Sequence, residues 1–363
     1  MKVMAIVGTR PEVIKLAPVV AHLRDRPATE TALVSTGQHR EMLDQMLDVF
    51  GLVPDVELGV MRRGQRLSDL TAELIRGLGA TLASIRPDWV VVQGDTTTTF
   101  CGALAAFYAG IPVAHVEAGL RSGDNQAPFP EEVNRRLVSQ LARLHFCPTP
   151  TSADNLVTEA VPPHHVHVTG NTVIDALHWA VDRARDLTET MPRVRPRRIL
   201  LTAHRRENHG PALHEICRAA KGLAERGDVE IVFPIHRSPV VRDVVLPQLD
   251  RVLGVHLCEP LDYLALVRVL DSCDLVLTDS GGLQEEAPAL GKPVLVLRDT
   301  TERPEGIEAG VARLVGTNAA NVYDVAQQLL DDPAAYAAMA HRKNPFGDGR
   351  ASHRIVEALA DAA

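Results

Sequence analysis

Short apolar runs alternate with longer amphipathic stretches along almost the whole chain, and this alternation limits the fold more than any other feature. In the first half the runs are KVMAIVG, TALVSTG, DWVVVQGD, PVAHVEAG, LHFCPT and VHVTG. After a basic, proline-containing connector around MPRVRPRR the pattern restarts with RILLTAH, EIVFPIH, VHLCEP, DLVLTDS and PVLVLR. Strands that alternate with helices indicate parallel sheets covered by those helices. The sequence therefore predicts an α/β protein with two Rossmann-like domains facing each other across a cleft.

The length of 363 residues suits two domains with ample cores. From the position of the connector we expect an N-terminal domain at 1–170, a connecting segment at 171–196 and a C-terminal domain at 197–345. The remaining 346–363 are expected to form a helix that packs back on the N-terminal domain.

Charge and cysteine usage narrow the classes of partner. The 38 basic and 46 acidic residues give a net charge of -8, which argues against an extended grip on a nucleic-acid backbone. No apolar run is long enough for a signal peptide or a membrane span. The cysteines are odd in number and widely spaced, which predicts buried thiols in a reducing, cytoplasmic protein; they are Cys101, Cys147, Cys217, Cys258 and Cys273.

Six of the apolar runs end in unusual polar chemistry. The segments are GTRPEVIK, GDTTTT, HVEAGLRS, TAHRREN, PIHRSP and TDSGGLQEE. Ligands of open parallel sheets bind beyond the carboxyl ends of the strands, where helix N-termini and loop side chains converge. These segments are therefore the candidate site.

Two of the segments are typical of anion sites at helix starts. In GTRPEVIK, Arg10 and Lys15 place cations near a helix N-terminus, although a helix start with solvated basic residues explains them too. In TDSGGLQEE a run of backbone N–H groups suits a phosphate, and a carboxylate one turn later suits ribose hydroxyls. A plain N-cap with glutamates complementing the helix dipole is the alternative. The residues concerned are Ser280, Gly281, Gly282, Glu285 and Glu286.

Three carboxylates are candidates for acid/base chemistry, and one histidine is a candidate phosphate-binding donor. Asp95 follows a strand but also suits an N-cap, and Glu117 also suits an ion pair with Arg121. Glu131 begins a helix, where it would complement the helix dipole. His204 would face the same cleft as a phosphate-binding donor, or be structural. Since no G-x-G-x-x-G, Walker or zinc-type spacing occurs, we expect no cofactor and no metal.

Taken together, these segments resemble the non-hydrolysing UDP-N-acetylglucosamine 2-epimerase family, whose fold is of the glycosyltransferase-B type. The resemblance extends over GTRPEVIKLAPV, TGQHREMLDQ, QGDTTTTF, HVEAGLRSGD, PFPEEVNRR, GNTVIDAL, TAHRREN, TDSGGLQEEAPALGKPVLVLRDTTERPEG and NPFGDGRAS, nearly the whole chain. It implies catalytic acid/base roles for Asp95, Glu117 and Glu131, and it places His204 among the catalytic residues. It implies contacts to substrate or UDP for Arg10, Lys15, Arg135, His204, Ser280, Gly281, Gly282 and Glu286.

The resemblance also implies a reaction, a regulator and an assembly. UDP-N-acetylglucosamine would be converted reversibly to UDP-N-acetylmannosamine through 2-acetamidoglucal by a cytoplasmic homodimer. A second UDP-N-acetylglucosamine would bind through Gln38, His39, Gln65, Arg205 and His236, although TGQHREM also suits a polar helix start and Gly64 stands where some relatives have arginine. The alternatives are a hydrolysing epimerase, an epimerase of a UDP-diacetamido sugar, a glycosyltransferase or a non-catalytic sugar-nucleotide sensor.

Overall fold

The computed structural model describes residues 1–37, 40–62, 64–186 and 191–362, and the chain divides into two compact units. Unit 1 comprises Met1–Ala176 and Gly347–Ala363, and unit 2 comprises Leu177–Phe346. Each unit contains one parallel sheet with helices between its strands. The predicted α/β class with two Rossmann-like units is confirmed.

The strands of unit 1 are β1 (Lys2–Val7), β2 (Glu30–Ser35), β3 (Val56–Glu57), β4 (Trp89–Gln93), β5 (Val113–Val116), β6 (Leu144–Cys147) and β7 (Val166–Val168). The helices up to the boundary between the units are α1 (Arg10–Arg24), α2 (Arg40–Phe50), α3 (Leu67–Ile85), α4 (Thr97–Tyr108), α5 (Glu131–Leu141), α6 (Pro150–Thr158) and α7 (Thr172–Arg185). The division between the two units falls within α7.

The strands of unit 2 are β8 (Arg197–Thr202), β9 (Val229–Pro234), β10 (Val255–Cys258), β11 (Leu275–Thr278), β12 (Val294–Val296) and β13 (Ala312–Leu314). Its helices are α8 (Pro211–Glu225), α9 (Pro239–Leu249), α10 (Tyr263–Ser272), α11 (Gly281–Ala289), α12 (Pro304–Glu308), α13 (Ala319–Asp331) and α14 (Pro333–Ala340). The last helix, α15 (Ala351–Asp361), belongs to unit 1.

Both sheets have the strand order of a Rossmann fold. In the described residues the order is β3-β2-β1-β4-β5-β6-β7 in unit 1 and β10-β9-β8-β11-β12-β13 in unit 2. The order reverses between β1 and β4 in the first sheet and between β8 and β11 in the second. Ligands of such sheets bind beyond the strand ends at this switch point.

Burial on both faces explains why the apolar runs form strands. Every residue of β4, from Trp89 to Gln93, is buried, as expected for a central strand of a parallel sheet covered by helices. The segments β3 and β13, which the apolar pattern did not predict, have two and three residues and lie at sheet edges. A strand this short has no periodicity to detect.

The C-terminal helix α15 packs against α1 and is anchored by Asp175 of α7. The Asp175 carboxylate accepts hydrogen bonds from the backbone N–H groups of Ala351 and Ser352, at 3.2 and 2.8 Å, and from the Ser352 hydroxyl at 2.5 Å. A carboxylate at this place satisfies N–H groups that a helix start leaves unpaired. Asp175 thus fixes where the last helix begins within unit 1.

The five cysteines are free thiols, as predicted: Cys258 is half-buried and the other four are buried. Burial raises the pKa of the Cys101, Cys147, Cys217 and Cys273 thiols to about 12. These side chains are therefore apolar packing groups. In the part of the chain that the structure describes, no helix is both long and apolar enough to span a membrane.

Candidate active site

Four of the six polar segments selected from the sequence lie at the switch points of the two sheets. GTRPEVIK and GDTTTT follow β1 and β4, the two strands at which the first sheet reverses its order. TAHRREN and TDSGGLQEE follow β8 and β11, the corresponding strands of the second sheet. Each unit therefore presents its unusual chemistry where an open α/β sheet binds ligands.

Glu117 is the first residue after β5 and adopts a left-handed backbone conformation with φ of +62°. For a non-glycine residue this costs on the order of 1–3 kcal/mol and persists only where the surroundings hold it. Its carboxylate, 7% exposed, accepts hydrogen bonds from Lys15 Nζ at 2.5 Å, from Asn171 Nδ2 at 3.1 Å and from Gln93 Nε2. The structure thus brings together two of the predicted site residues, Lys15 and Glu117.

Arg121, the ion-pair partner considered for Glu117, is engaged elsewhere. Its guanidinium forms two parallel hydrogen bonds to the Glu159 carboxylate, at 2.7 and 2.6 Å. Chiefly through this hydrogen bonding, Arg121 holds the pKa of Glu159 below its ordinary value. Pairing with Arg121 therefore does not explain Glu117.

Asp95 follows β4 and binds the side chain of Arg135, a predicted substrate contact on α5. The N-cap of α4 is Thr96, whose hydroxyl accepts the N–H of Thr99 at 3.1 Å. The N-cap alternative for Asp95 is therefore wrong, because the helix begins one residue later than that interpretation requires. Asn134 of α5 donates to the Asp95 carbonyl at 2.9 Å, which fixes the turn against α5.

Glu131 is the first residue of α5, and its Oε2 is buried without a hydrogen-bond partner among the described residues. The next residue, Glu132, is fully buried and accepts hydrogen bonds from Ser122 N and Arg136 Nε, at 3.1 and 3.0 Å. Glu132 thus makes the structural contacts at this helix start. Glu131 has the unsatisfied oxygen that a group acting on a ligand would have.

The turn after β1 is not an open anion-binding site. A Cβ on Gly8 would collide with the hydroxyls of Thr36 and Thr98, so only glycine fits this close approach. The N–H groups of Gly8 and Thr9 donate to the buried carboxylate of Glu12, at 2.9 and 2.6 Å. The chain itself thus occupies the donors that the sequence suggested for an anionic ligand. The side chain of Arg10, the first residue of α1, has no hydrogen bond or ion pair with the residues described.

In unit 2, His204 lies beside a buried carboxylate. Its Nδ1 is 3.2 Å from Oδ1 of Asp279, the first residue after β11, while the imidazole is 42% exposed. Burial alone would raise the pKa of Asp279, but hydrogen bonds and charge from His204 and the N–H of Arg205 hold it below its ordinary value. A carboxylate on Nδ1 fixes the orientation of the ring and leaves Nε2 to act on a ligand.

The glycine pair that follows Ser280 opens α11, as predicted. Ser280 is the N-cap, and Gly282 is exposed at the helix start. The two glutamates of the next turn differ in their surroundings. Glu285 is buried and pairs with Arg303, whereas Glu286 is partly exposed, with Oε2 3.7 Å from the position of a Cβ on Gly282. Glu286 is therefore the carboxylate placed next to the exposed Gly282.

Two of the predicted regulatory residues, Gln38 and His39, lie outside the described residues. In unit 1, Gln65 donates to Glu73 and accepts from the N–H of Arg62, both at 3.1 Å. In unit 2, Arg205 pairs with Glu302 at 2.5 Å. The His236 ring stacks on His204 with centroids 5.9 Å apart, and its Nδ1 accepts the N–H of Ser238.

Four polar residues at these strand ends were missed by the sequence reasoning: Glu12, Gln93, Asn171 and Asp279. Two of them carried a detectable signal. Thr9-x-x-Glu12 has the spacing of a capping box, and Asp279 occupies the position after an apolar strand that also drew attention to Asp95. Gln93 and Asn171 had no such signal, because only the folded chain places them on Glu117.

This chemistry is suited to proton transfer and anion binding. Unit 1 holds carboxylates on several elements with cationic partners, and unit 2 has a carboxylate-oriented imidazole and a glycine-rich helix start. Within the described residues no group of three or more His, Cys, Asp or Glu side chains is arranged to hold a metal ion.

Comparison with known proteins gives full-length matches. A family model described as UDP-N-acetylglucosamine 2-epimerase matches residues 21–360. The UDP-N-acetylglucosamine 2-epimerase of Escherichia coli K12 is 49% identical over 369 residues, which cover 99% of this chain and 98% of that protein. The enzyme of that name from Bacillus subtilis is 48% identical, covering 99% and 95%.

Solved structures match over the same length. The UDP-GlcNAc 2-epimerase of Neisseria meningitidis bound to UDP-GlcNAc has a TM-score of 0.89 and 46% identity, covering 99% of this chain and 100% of that chain. The enzyme of Methanocaldococcus jannaschii in complex with UDP-GlcNAc and UDP has a TM-score of 0.80 and 33% identity, with the same coverage.

Proposed function

This chain belongs to the UDP-N-acetylglucosamine 2-epimerase family, and from that premise we propose that it interconverts UDP-N-acetylglucosamine and UDP-N-acetylmannosamine without releasing the free sugar. The observation that carries the proposal is the pair of carboxylates Glu117 and Glu131 on separate elements of unit 1. Inversion at one carbon by proton exchange needs acid/base groups on two faces of the sugar.

The reaction must overcome the weak acidity of the C2 proton, which has no neighbouring carbonyl. As a base removes this proton, the C2–H electrons form a C1=C2 double bond and the C1–O bond breaks. UDP leaves with the electron pair of the C1–O bond, and 2-acetamidoglucal remains. In the return step an acid protonates C2 on the opposite face while an oxygen of UDP re-forms the bond to C1. No net oxidation and no water are needed.

We assign the proton transfers to residues of unit 1 and the binding of UDP mainly to residues of unit 2. Glu117 and Glu131 exchange the C2 proton on opposite faces, and Asp95 assists from its place beside Arg135. Positioned acid/base groups of this kind accelerate reactions by about 10²- to 10⁴-fold each. His204, oriented by Asp279, donates to the departing diphosphate.

The remaining assignments concern recognition of the substrate. The N–H groups of Ser280, Gly281 and Gly282 at the start of α11 take phosphate oxygens, and Glu286 accepts the ribose hydroxyls. Cationic contacts to the sugar and diphosphate come from Arg10, Lys15 and Arg135. Lys15 also holds Glu117 in place.

The test is turnover of UDP-N-acetylglucosamine in deuterium oxide, followed by NMR, without added nicotinamide or metal. UDP-N-acetylmannosamine should appear with solvent deuterium at C2, and chelator should leave the rate unchanged. Epimerised product without deuterium at C2 would exclude the elimination route. Loss of activity with chelator would contradict the assignment of all the chemistry to side chains.

Product analysis in the same experiment separates the alternatives. Free N-acetylmannosamine plus UDP would identify a hydrolysing epimerase. Turnover of the donor alone excludes a glycosyltransferase, which needs an acceptor, and a sensor, which has no turnover. A panel of UDP sugars that includes a diacetamido sugar defines the substituent accepted at C3.

Replacing Glu286 should weaken UDP binding more than it slows chemistry. Hydrogen bonds to a charged group contribute about 1.5–3 kcal/mol, so Glu286→Ala should raise the Kd for UDP roughly 10- to 100-fold. Isothermal titration with UDP measures this, and Glu308→Ala, at an exposed carboxylate of the same unit, is the matched control. An unchanged Kd in Glu286→Ala would remove this residue from the UDP site.

We further propose that a second UDP-N-acetylglucosamine regulates the enzyme through Gln38, His39, Gln65, Arg205 and His236. Support comes from the Methanocaldococcus jannaschii enzyme, whose structure contains UDP-GlcNAc together with UDP. Traces of UDP-N-acetylglucosamine should then accelerate the reverse reaction, with a coupling of about 1–3 kcal/mol. Gln65→Ala should abolish the acceleration while UDP binding persists. Reverse progress curves without a lag would argue against the regulatory site.

The assembly that we propose is a homodimer formed through α4 and α5. These helices pack side by side and expose Phe107 at 57%, Tyr108 at 71% and Leu137 at 43%. Exposed apolar clusters of this kind mark protein interfaces. Sedimentation should give twice the chain mass, and Tyr108→Glu should shift the protein to monomer. A wild-type monomer at micromolar concentration would contradict this assembly.

A further inference from the structure

Glu12 occupies the junction of two helix N-termini at the switch point of the first sheet. Its Oε2 accepts the N–H groups of Gly8 and Thr9 at the start of α1. Its Oε1 contacts the hydroxyls of Thr96 and Thr99 at the start of α4, at 2.7 and 3.0 Å. One side chain thus ties together the segments that carry Lys15 and Asp95.

Counting protons around Oε1 indicates the state of the carboxyl group. Four oxygen–oxygen contacts occur here: Thr96 to Glu12 at 2.7 Å, Thr99 to Glu12 at 3.0 Å, Thr96 to Thr99 at 3.0 Å, and Thr99 to the Gln93 carbonyl at 2.6 Å. The two threonines supply one hydroxyl proton each. If Glu12 were ionised, two of the four contacts would have no proton between the oxygens, and their lone pairs would repel each other.

A proton on Glu12 satisfies one of these two contacts. Glu12 Oε1–H then donates to Thr99, Thr99 donates to the Gln93 carbonyl, and Thr96 donates to Glu12. Oε2 remains a carbonyl oxygen, which is the acceptor that the two backbone N–H groups require. Only the contact between Thr96 and Thr99 is left without a proton.

The surroundings lack a compensating cation. Glu12 is 1% exposed and has no ion pair within the described part of the chain. Burial raises the pKa of this carboxyl above its ordinary value, against the opposing effect of the hydrogen bonds from Thr96 and its other neighbours. The Lys15 ammonium, one helical turn along α1, is 2.5 Å from Glu117 instead.

We propose that Glu12 is a neutral carboxylic acid in the folded protein and that it positions Lys15 and Asp95 by locking the first turn of α1 to the first turn of α4. The positioning role rests on the proposed function. Because Glu12 is uncharged, it does not compete with Glu117 for the Lys15 ammonium, one helical turn away.

The protonation is tested without substrate. The infrared difference spectrum of the wild type minus Glu12→Gln near neutral pH should contain a protonated carboxyl stretch. Carboxylate bands in its place would overturn the proposal. Since a glutamine amide can accept at one end and donate to the threonines at the other, Glu12→Gln should fold, and failure of this variant to fold would count against a neutral acid.

The pH dependence of stability gives a second readout of the same state. If the pKa of Glu12 in the folded protein lies above its value of about 4.3 in the unfolded chain, the folded chain binds more protons at pH values between the two. The stability that Glu12 contributes is therefore lost as pH rises through this range. The stability of the wild type relative to Glu12→Gln should therefore fall with rising pH, and a rise would indicate an ionised Glu12. Besides Glu12, the titratable residues of α1, of α4 and of the turn before α4 are the same in both proteins; they are Arg10, Lys15, His22, Arg24, Asp95, Cys101 and Tyr108.

Positioning is tested by a matched pair of variants. Glu12→Gln keeps the length and neutrality of the side chain and should retain kcat, whereas Glu12→Asp keeps the acid but is one methylene too short to bridge the helices. Displacement of catalytic groups by about 1 Å costs about 100-fold, so Glu12→Asp should lower kcat about 10- to 100-fold with little change in KM. Equal kcat in both variants would overturn the positioning role. An inactive wild type would instead refute the proposed function and leave the spectroscopic result standing.

Discussion

Replacing Glu117 by glutamine should lower kcat for epimerisation roughly 10²- to 10⁴-fold, the range expected when an acid/base group is lost. The substitution preserves shape and still accepts a hydrogen bond from Lys15. The loss should therefore appear in turnover and in C2 deuterium exchange, with near-native folding by circular dichroism. Asp95→Asn and Glu131→Gln should give losses in the same range.

A control for these variants is Glu30→Gln, which alters a surface carboxylate of unit 1 that is 70% exposed. It should keep wild-type kcat. Near-wild-type turnover in Glu117→Gln would make this residue a structural partner of Lys15, Gln93 and Asn171 and would require another base. Asp95→Asn should also be checked by thermal unfolding, because it removes the charge of the carboxylate that pairs with Arg135.

Unit 1 should lose stability as pH falls from about 6.5 to about 4, because two neighbouring imidazoles are buried in neutral form. Burial lowers the pKa of His115 from 6.5 to about 4, against the opposing hydrogen bond from its Nε2 to the Gly94 carbonyl. Burial, together with the proximity of His115, lowers the pKa of His145 to about 3. The two residues are paired across β5 and β6.

The direction of this pH dependence follows from the number of protons bound by the folded and unfolded chains. Between pH 6.5 and 4 the unfolded chain binds protons that the folded chain does not, so stability is complete above this window and falls as pH falls. Since one pKa unit corresponds to about 1.4 kcal/mol, His115 alone accounts for roughly 3 kcal/mol.

Urea unfolding of unit 1 at a series of pH values measures this effect. Of the two tryptophans, Trp89 lies in β4, so a Trp179→Phe background leaves a reporter for this unit. His115→Gln retains a donor for Gly94 but does not titrate, so its stability should vary less with pH, while His22→Gln, at an exposed histidine, should behave as the wild type. If the stability of His115→Gln falls with decreasing pH as steeply as that of the wild type, other groups cause the loss.

The strands and the polar segments at their ends could be predicted from short stretches of the sequence. The apolar runs predicted eleven of the strands, since burial on both faces leaves a continuous apolar signal. The polar segments at their ends were recognisable because glycine turns, helix starts and carboxylates after a strand are short-range patterns. Their convergence at two switch points could be expected once a parallel sheet was assumed, although strand order itself is not local.

Pairings between distant residues could not be read in this way. The sequence offered Arg121 for Glu117 and an N-cap role for Asp95, in each case a partner or role found close by in the chain. The folded chain instead pairs Glu117 with Lys15, 102 positions away, and Asp95 with Arg135, 40 positions away. Glu12 had a local signal in its capping-box spacing, but the hydroxyls of Thr96 and Thr99 that it contacts lie 84 and 87 positions away.

The sequence by itself determined the alternation of strands and helices, the restart of that pattern in a second unit, and the polar residue types at the strand ends, because each depends on residues within a few positions of one another. Only the tertiary structure decided which cation holds which carboxylate, which glutamate of α5 and of α11 is buried in structural contacts, and which donors are occupied by Glu12. Those outcomes depend on where the sheet brings strand ends together, and hydrogen bonds between them join residues that no periodicity connects.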